Sequence, residues 1–268
     1  MKSDLAFLLT TAVDTTQSIN WMREYLQARI LLVLQSAGAM IPLAFHSGTA
    51  LRFLYQLPRF SEDLDFTLER PDRGFNFPGY LEEIKTQLTL EGYPIAIKYN
   101  VEKVVNNAFI SFPGLLYEFN LSPHPSQNFS IKLEVDTKPP KGATLSTSLI
   151  RHRDLFINLQ HHDKASLLAG KIHAILQRDY LKGRDIYDLI WYLSDATWPM
   201  PNFPMLNNAL LQTKWEGGAI DKNNWKSILR QCLNAENIQR ARQDVSPYLA
   251  RQTDLNLVSW ENISLLLT

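Results

Sequence analysis

A chain of 268 residues can build one large hydrophobic core or two modest ones. Lys plus Arg and Asp plus Glu both number 27, and this zero net charge excludes a dedicated nucleic-acid coat, which would be basic. Any nucleic-acid contact must come from a local patch, and the longest apolar stretch, near residues 30–34, is far too short to span a membrane, so no membrane partner is expected.

In chain order, Ile19, Met22, Tyr25, Leu26, Ile30, Val33 and Leu34 recur at helical spacing, which predicts an amphipathic helix over residues 17–39. A short apolar strand over 41–45 runs into the turn Ser47-Gly48-Thr49, followed by a helix over 50–56 that Pro58 stops. Leu64, Phe66 and Leu68 alternate with Asp63, Asp65 and Thr67, the pattern of a strand. Residues 71–79 read as a loop and 80–90 as a helix. Alternation predicts further strands over 95–101, 108–112 and 129–136, the last broken by Pro139-Pro140-Lys141-Gly142.

After residue 160 the period changes. Helices are expected over 166–178, 185–194 and 204–213, with helical character continuing to the C-terminus. The chain therefore reads as α+β, with an α/β core over 1–160 and a helical domain over 161–268 that completes the site. Its single cysteine, Cys232, cannot form an internal disulfide and is expected to be a small core residue. With no basic region and long apolar run at the N-terminus, a cytoplasmic location is expected.

Asp63 and Asp65, two apart on a strand, project from one face with Cβ atoms ~6.5 Å apart. Without a cation they would repel by about 2–3 kcal/mol at an effective dielectric of roughly 20. Alternating aspartates also describe a merely solvated strand face. The upstream turn favours chemistry: Ser47-Gly48-Thr49 ends a strand and opens a helix, leaving main-chain N–H groups directed outward as an anion site. A phosphate cradle followed by paired carboxylates suits a nucleoside triphosphate and Mg²⁺, which takes one or two carboxylates plus substrate phosphates.

The run Ser-Gly-Thr-Ala-Leu-Arg-Phe-Leu-Tyr-Gln-Leu-Pro-Arg-Phe-Ser-Glu-Asp-Leu-Asp-Phe at positions 47–66 resembles the signature of the AbiEii/AbiGii-type nucleotidyltransferase toxins, of the DNA polymerase β-like superfamily. The resemblance extends through residues 168–178 and 182–189. It implies a mixed sheet with helices followed by a helical C-terminal half. The family motif usually begins Gly-Gly-Thr, and here Ser47 replaces the first glycine.

The resemblance also implies a third acid on a neighbouring strand. Ile131, Leu133 and Val135 form the apolar face of strand 129–136, and Lys132, Glu134 and Asp136 the other. The family's Lys-hydrophobic-Asp-hydrophobic pattern aligns Glu134 with that acid, and Asp136 competes. As metal ligands the candidates are thus Asp63, Asp65, Glu134 and Asp136. Arg59, in the loop before the aspartates, either reaches a phosphate or pairs with Glu62.

Lys171 lies within the apolar arc of its helix, with Leu167 and Leu168 a turn before it and Ala174 and Ile175 a turn after. The wet face is expected to hold Ser166, Gly170, His173 and Gln177. An ammonium there either snorkels to water or has a compensating anion. In the family the lysine and the Arg-Asp aspartate belong to the active site, which carries over to Lys171 on substrate phosphates and Asp185 as an orienting group. Arg178 falls nearly in line with Lys171, and Arg184 and Asp188 are spaced as an ion pair. His161 and His162 read as a loop leading to a helix cap at Asp163.

The resemblance implies a nucleotidyltransferase toxin of a bacterial toxin–antitoxin or phage-defence pair. Its cofactor would be Mg²⁺, its substrate a nucleoside triphosphate, its acceptor a tRNA end or a protein, and its partner a cognate antitoxin. A metal-dependent phosphotransferase or nuclease, or an inactive nucleotide-binding relative, would fit the same carboxylates.

Overall fold

The computed structural model describes residues 2–268, which divide into two compact units. The first comprises the chain up to Phe45, Ser61–Lys138 and Thr147–His161; the second comprises His46–Phe60, Pro139–Ser146 and His162–Thr268. The units interleave along the chain, so residues 46–60 and 139–146 group with the helical C-terminal part.

A seven-stranded sheet dominates the first unit. Its strands are β1 (Leu43–His46), β2 (Leu64–Leu68), β3 (Ala96–Asn100), β4 (Val105–Phe112), β5 (Phe129–Asp136), β6 (Leu145–His152) and β7 (Leu155–His162), in the order β3-β4-β5-β2-β1-β7-β6. β2 runs parallel to β5 and β1 parallel to β7, whereas β3, β4 and β5 pair antiparallel. The sheet is therefore mixed and the fold α+β, as expected. Strict alternation along β5 buries Ile131, Leu133 and Val135 and leaves Lys132, Glu134 and Asp136 half-buried on the other face.

Helices α1 (Lys2–Leu9), α2 (Thr15–Ser36) and α4 (Phe77–Leu90) complete this unit with the short α5 (Leu115–Glu118). Asp14 caps α2, accepting from the Gln17 N–H at 2.7 Å, and Asn76 caps α4 with Pro78 in its first turn. Met22, Leu26, Ile30 and Leu31 of α2 are fully buried. Gln27, also buried, donates to the Ser61 and Glu62 carbonyls at 3.1 and 2.9 Å and so pins the segment that leads to Asp63.

The second unit holds α3 (Ser47–Tyr55), α6 (Lys164–Gln177), α7 (Gly183–Leu193), α8 (Phe203–Gln212), α9 (Trp225–Cys232), α10 (Ala235–Val245) and α11 (Trp260–Leu266). α6 packs on α3, α7, α8 and α9, and α7 on α10 and α11. Asp163 caps α6 by accepting from the Ser166 N–H at 2.8 Å, as expected.

Four expectations are corrected. β6 and β7 were not expected as strands: β6 reads Leu-Ser-Thr-Ser-Leu-Ile-Arg-His, has no buried residue at the sheet edge, and so lacks the apolar alternation of a half-buried strand. His161 and His162 consequently lie in β7, not in a loop. Ser166 is buried, bonded by the Thr144 N–H and the Asn202 amide at 3.0 Å each, and does not face water. Cys232 is exposed and not part of the core, because it sits in the last turn of α9.

Candidate active site

Asp65 lies on β2, and its Cα partner across the parallel β2–β5 ladder is Glu134. Asp63 sits just before β2, two residues ahead of Asp65, and all three side chains are half-buried. The flanking Leu64, Phe66 and Leu133 are buried, and this locks the register, because a one-residue slip would drive the carboxylates into the core. Asp136 stands opposite Thr67, feels the charge of Glu69, and accepts from the Lys138 N–H at 2.9 Å. Burial raises the Asp136 carboxyl above its usual range. The register thus sets Glu134, and not Asp136, beside Asp65.

A cation already sits among these acids. The Lys132 ammonium lies 2.8 Å from a Glu134 carboxylate oxygen. Burial disfavours its charge, but Glu134, then Asp63 and Asp65, outweigh burial and raise the ammonium above its ordinary pKa.

In the second unit, α3 begins at Ser47, whose φ is +70°, in the left-handed region that glycine occupies without strain. This gives a local reason for the glycine usual at this position in the resembled motif. The cap residue His46 makes no side-chain hydrogen bond to the first turn. Its ring lies 5.4 Å from that of His162, centroid to centroid. Burial, followed by the charges of His162 and Lys171, drives the His46 imidazole down to about 3, so it is neutral near pH 7.

Lys171 does not snorkel; it has compensating anions. It is 8% exposed, with its Nζ 2.6 Å from Asp188 Oδ2 and 3.0 Å from Asp185 Oδ1. Asp185 and Asp188 stand one turn apart on α7 and so present both carboxylates to one face of α6. Asp185 also pairs with Arg178 at the end of α6. Asp188 is held on its other side by Arg59, whose Nε and Nη2 each donate at 2.6 Å. Burial opposes charge on Lys171, but Asp188 and Asp185 overcome it and raise its pKa. Burial pulls the Asp185 carboxyl up, but Lys171 and then Arg178 hold it below the carboxylate range.

Three cations thus share two anions, which leaves a positive cluster inside the second unit. Arg59 is 1% exposed, and its Nη1 donates to the Phe60 carbonyl at 2.8 Å. Its partner is Asp188, not Glu62. Arg184, the expected partner of Asp188, instead lies over the Tyr248 ring at 4.3 Å. Asp188 and Lys132 are the charged partners of candidate site residues that pattern underrated. The one signal for Asp188 was its place a turn after Asp185; for Lys132 it was the shared strand face with Glu134.

Among the described residues no three His, Cys, Asp or Glu groups are already gathered to hold an ion. Asp63, Asp65 and Glu134 are hard oxygen donors of the kind that Mg²⁺ takes, and Glu134 already holds a cation, the Lys132 ammonium. No helix of the described residues is long and apolar enough to cross a membrane.

A family model described as nucleotidyl transferase AbiEii toxin, type IV toxin–antitoxin system, matches residues 29–257. No curated protein sequence matches the chain. Among solved structures, JHP933 from Helicobacter pylori is similar with a TM-score of 0.54 at 17% identity, over 92% of this chain and 90% of that one. MenT4, a nucleotidyltransferase toxin from Mycobacterium tuberculosis H37Rv, is similar with a TM-score of 0.52 at 15% identity, over 99% of both chains. These likenesses concern the fold. The family match covers most of the chain and includes both Asp63-Leu64-Asp65 and the Lys171–Asp185 pair, so this chain belongs to the AbiEii family of nucleotidyl transferase toxins of type IV toxin–antitoxin systems.

Proposed function

We propose that the chain moves a nucleoside monophosphate from a nucleoside triphosphate to an acceptor hydroxyl on a tRNA end or a protein, in the presence of Mg²⁺. In a cell it would act as a toxin restrained by a cognate antitoxin, in a toxin–antitoxin or phage-defence setting. One observation carries the chemistry: Asp65 and Glu134 are register partners on adjacent parallel strands, with Asp63 two residues before Asp65 and the Lys132 ammonium on Glu134.

Asp63, Asp65 and Glu134 would hold the metal, which when bound supplies positive charge to the triphosphate oxygens. Glu134 would take the proton of the attacking hydroxyl. The hydroxyl oxygen bonds to the α-phosphorus, the α–β bridging bond breaks, and pyrophosphate leaves with that electron pair. In the second unit, the main-chain N–H groups of Ser47, Gly48 and Thr49 at the start of α3 are assigned to phosphate. The Lys171 charge acts on His46, the residue before Ser47, which supports assigning Lys171 to the same phosphate. Lys171 and Arg178 supply positive charge, and Asp185 and Asp188 act as positioning residues for them.

The test is incubation of the purified chain with each α-labelled triphosphate, Mg²⁺ and total tRNA or protein. Label entering the acceptor with stoichiometric pyrophosphate is expected, and Glu134→Gln should cut the rate by about 10²–10⁴-fold while retaining the circular dichroism of the parent. Nucleic-acid cleavage without incorporation would assign the carboxylates to a nuclease instead. Triphosphate binding without turnover would mark an inactive relative.

A further inference from the structure

Lys132 precedes Glu134 by two positions on β5, so the two side chains leave the same face, and their charged atoms meet at 2.8 Å. The ammonium has a second neighbour. Phe109, 46% exposed on β4, is the direct cross-strand partner of Lys132, and the Lys132 Nζ lies 5.9 Å from its ring centroid, within cation–π range. Lys132 therefore stands between a carboxylate and an aromatic face and can give up the first while keeping the second. The first neighbour follows from the two-residue period of β5 itself, and the second from the β4–β5 register.

We propose that Lys132 is the resident counter-cation of the carboxylate cluster, and that a divalent ion must displace it from Glu134 to gain its third oxygen donor. This rests on the metal-binding reading of Asp63, Asp65 and Glu134. An ammonium on Glu134 offsets the repulsion between Glu134 and its register partner Asp65 while the metal is absent. The same ammonium competes for Glu134 when metal arrives, so it keeps the sheet stable at the expense of metal affinity.

Competition predicts an effect on metal binding that needs no substrate. Mn²⁺ binding to the full chain is measured by titration with electron paramagnetic resonance of the free ion, on the parent, Lys132→Met and Lys132→Gln, with Asp65→Asn as the site control. Each Lys132 variant is expected to bind Mn²⁺ about five- to tenfold more tightly than the parent. In EDTA both should melt at a lower temperature than the parent, and Mn²⁺ should raise their melting temperature by more. The partial exposure of Lys132 makes folding of at least one variant expected. Affinity that is unchanged or weaker in both variants, while Asp65→Asn still lowers it, would overturn the counter-cation role and leave the metal site standing. Parent binding that is indifferent to Asp65→Asn would overturn both.

Discussion

Arg59 and Asp188 lie 129 positions apart in sequence, yet the guanidinium grips both carboxylate oxygens at 2.6 Å within the second unit. Arg59 follows Pro58, whose carbonyl accepts from the Ala250 N–H at 3.2 Å, and the Phe60 N–H donates to the Tyr248 carbonyl at 2.7 Å. Main-chain bonds on both sides therefore hold Arg59 in place. It in turn fixes Asp188 for Lys171, so the lysine's position rests on a residue far from it in the chain.

Breaking this pair from one side should be costly. Arg59→Met removes one of the two cations that hold Asp188 and leaves Lys171, and a buried pair broken by removal of one partner costs about 3–5 kcal/mol. Urea unfolding of Arg59→Met and Arg59→Met/Asp188→Leu measures this, and the double variant should recover part of the loss. A single variant within about 1 kcal/mol of the parent would show that the pair is not desolvated as described.

Ser47 should respond to substitution through its backbone. A left-handed conformation costs a non-glycine residue roughly 1–2 kcal/mol, partly offset in glycine by its looser unfolded chain. Ser47→Gly is therefore expected to stabilise by up to about 1 kcal/mol, and Ser47→Val, branched at Cβ, to destabilise by about that amount or more. Equal stability of the glycine and valine variants would contradict the positive φ.

Acid should weaken the fold through His46. Its imidazole titrates near 6.5 when unfolded and about 3 when folded, so between these values the unfolded chain binds a proton that the folded chain refuses. Stability therefore falls as pH drops from about 6.5 toward 3, with a slope from this group of at most about 1.4 kcal/mol per pH unit. Asp185, held below the carboxylate range against burial by Lys171 and Arg178, adds a further loss once pH falls through that range. His46→Asn should flatten the profile between about pH 6 and 4 and leave the lower limb. Superimposable profiles for parent and variant would remove His46 as the cause.

Gly183 permits the close approach of α7 to α10. A Cβ there would lie 1.9 Å from the Ala241 carbonyl oxygen, a backbone atom that cannot swing away. The Gly183 N–H also donates to Asp244 at 2.7 Å, which ties the two helices together. Gly183→Ala should destabilise by about 1–3 kcal/mol or more in a denaturant titration, despite alanine's better helix propensity. A stabilised variant would mean that the helices part without loss.

Much of the sheet and the carboxylate strand could be read from local pattern. The alternation of Leu64 and Phe66 with Asp63 and Asp65, and of Ile131, Leu133 and Val135 with Lys132, Glu134 and Asp136, reports a buried face directly, because the period of a strand is set by its own backbone. The same holds for the Asp163 cap and for the apolar arc that includes Lys171, both products of helix geometry over a few residues. The choice between Glu134 and Asp136 was beyond pattern, since both share a face and differ only in which residue of β2 stands opposite. Register is a contact between strands distant in sequence. The exposed edge strand β6 was equally hidden, because its residues have no core to alternate against. For Lys171 the sequence by itself determined that the side chain leaves its helix within the apolar arc, and left open whether the ammonium reaches water or a buried anion. Only the tertiary structure decided what would neutralise it, bringing Asp185 and Asp188 from α7 and, through Asp188, Arg59 from the far end of the chain, because a buried charge is stable only where folding delivers its partners.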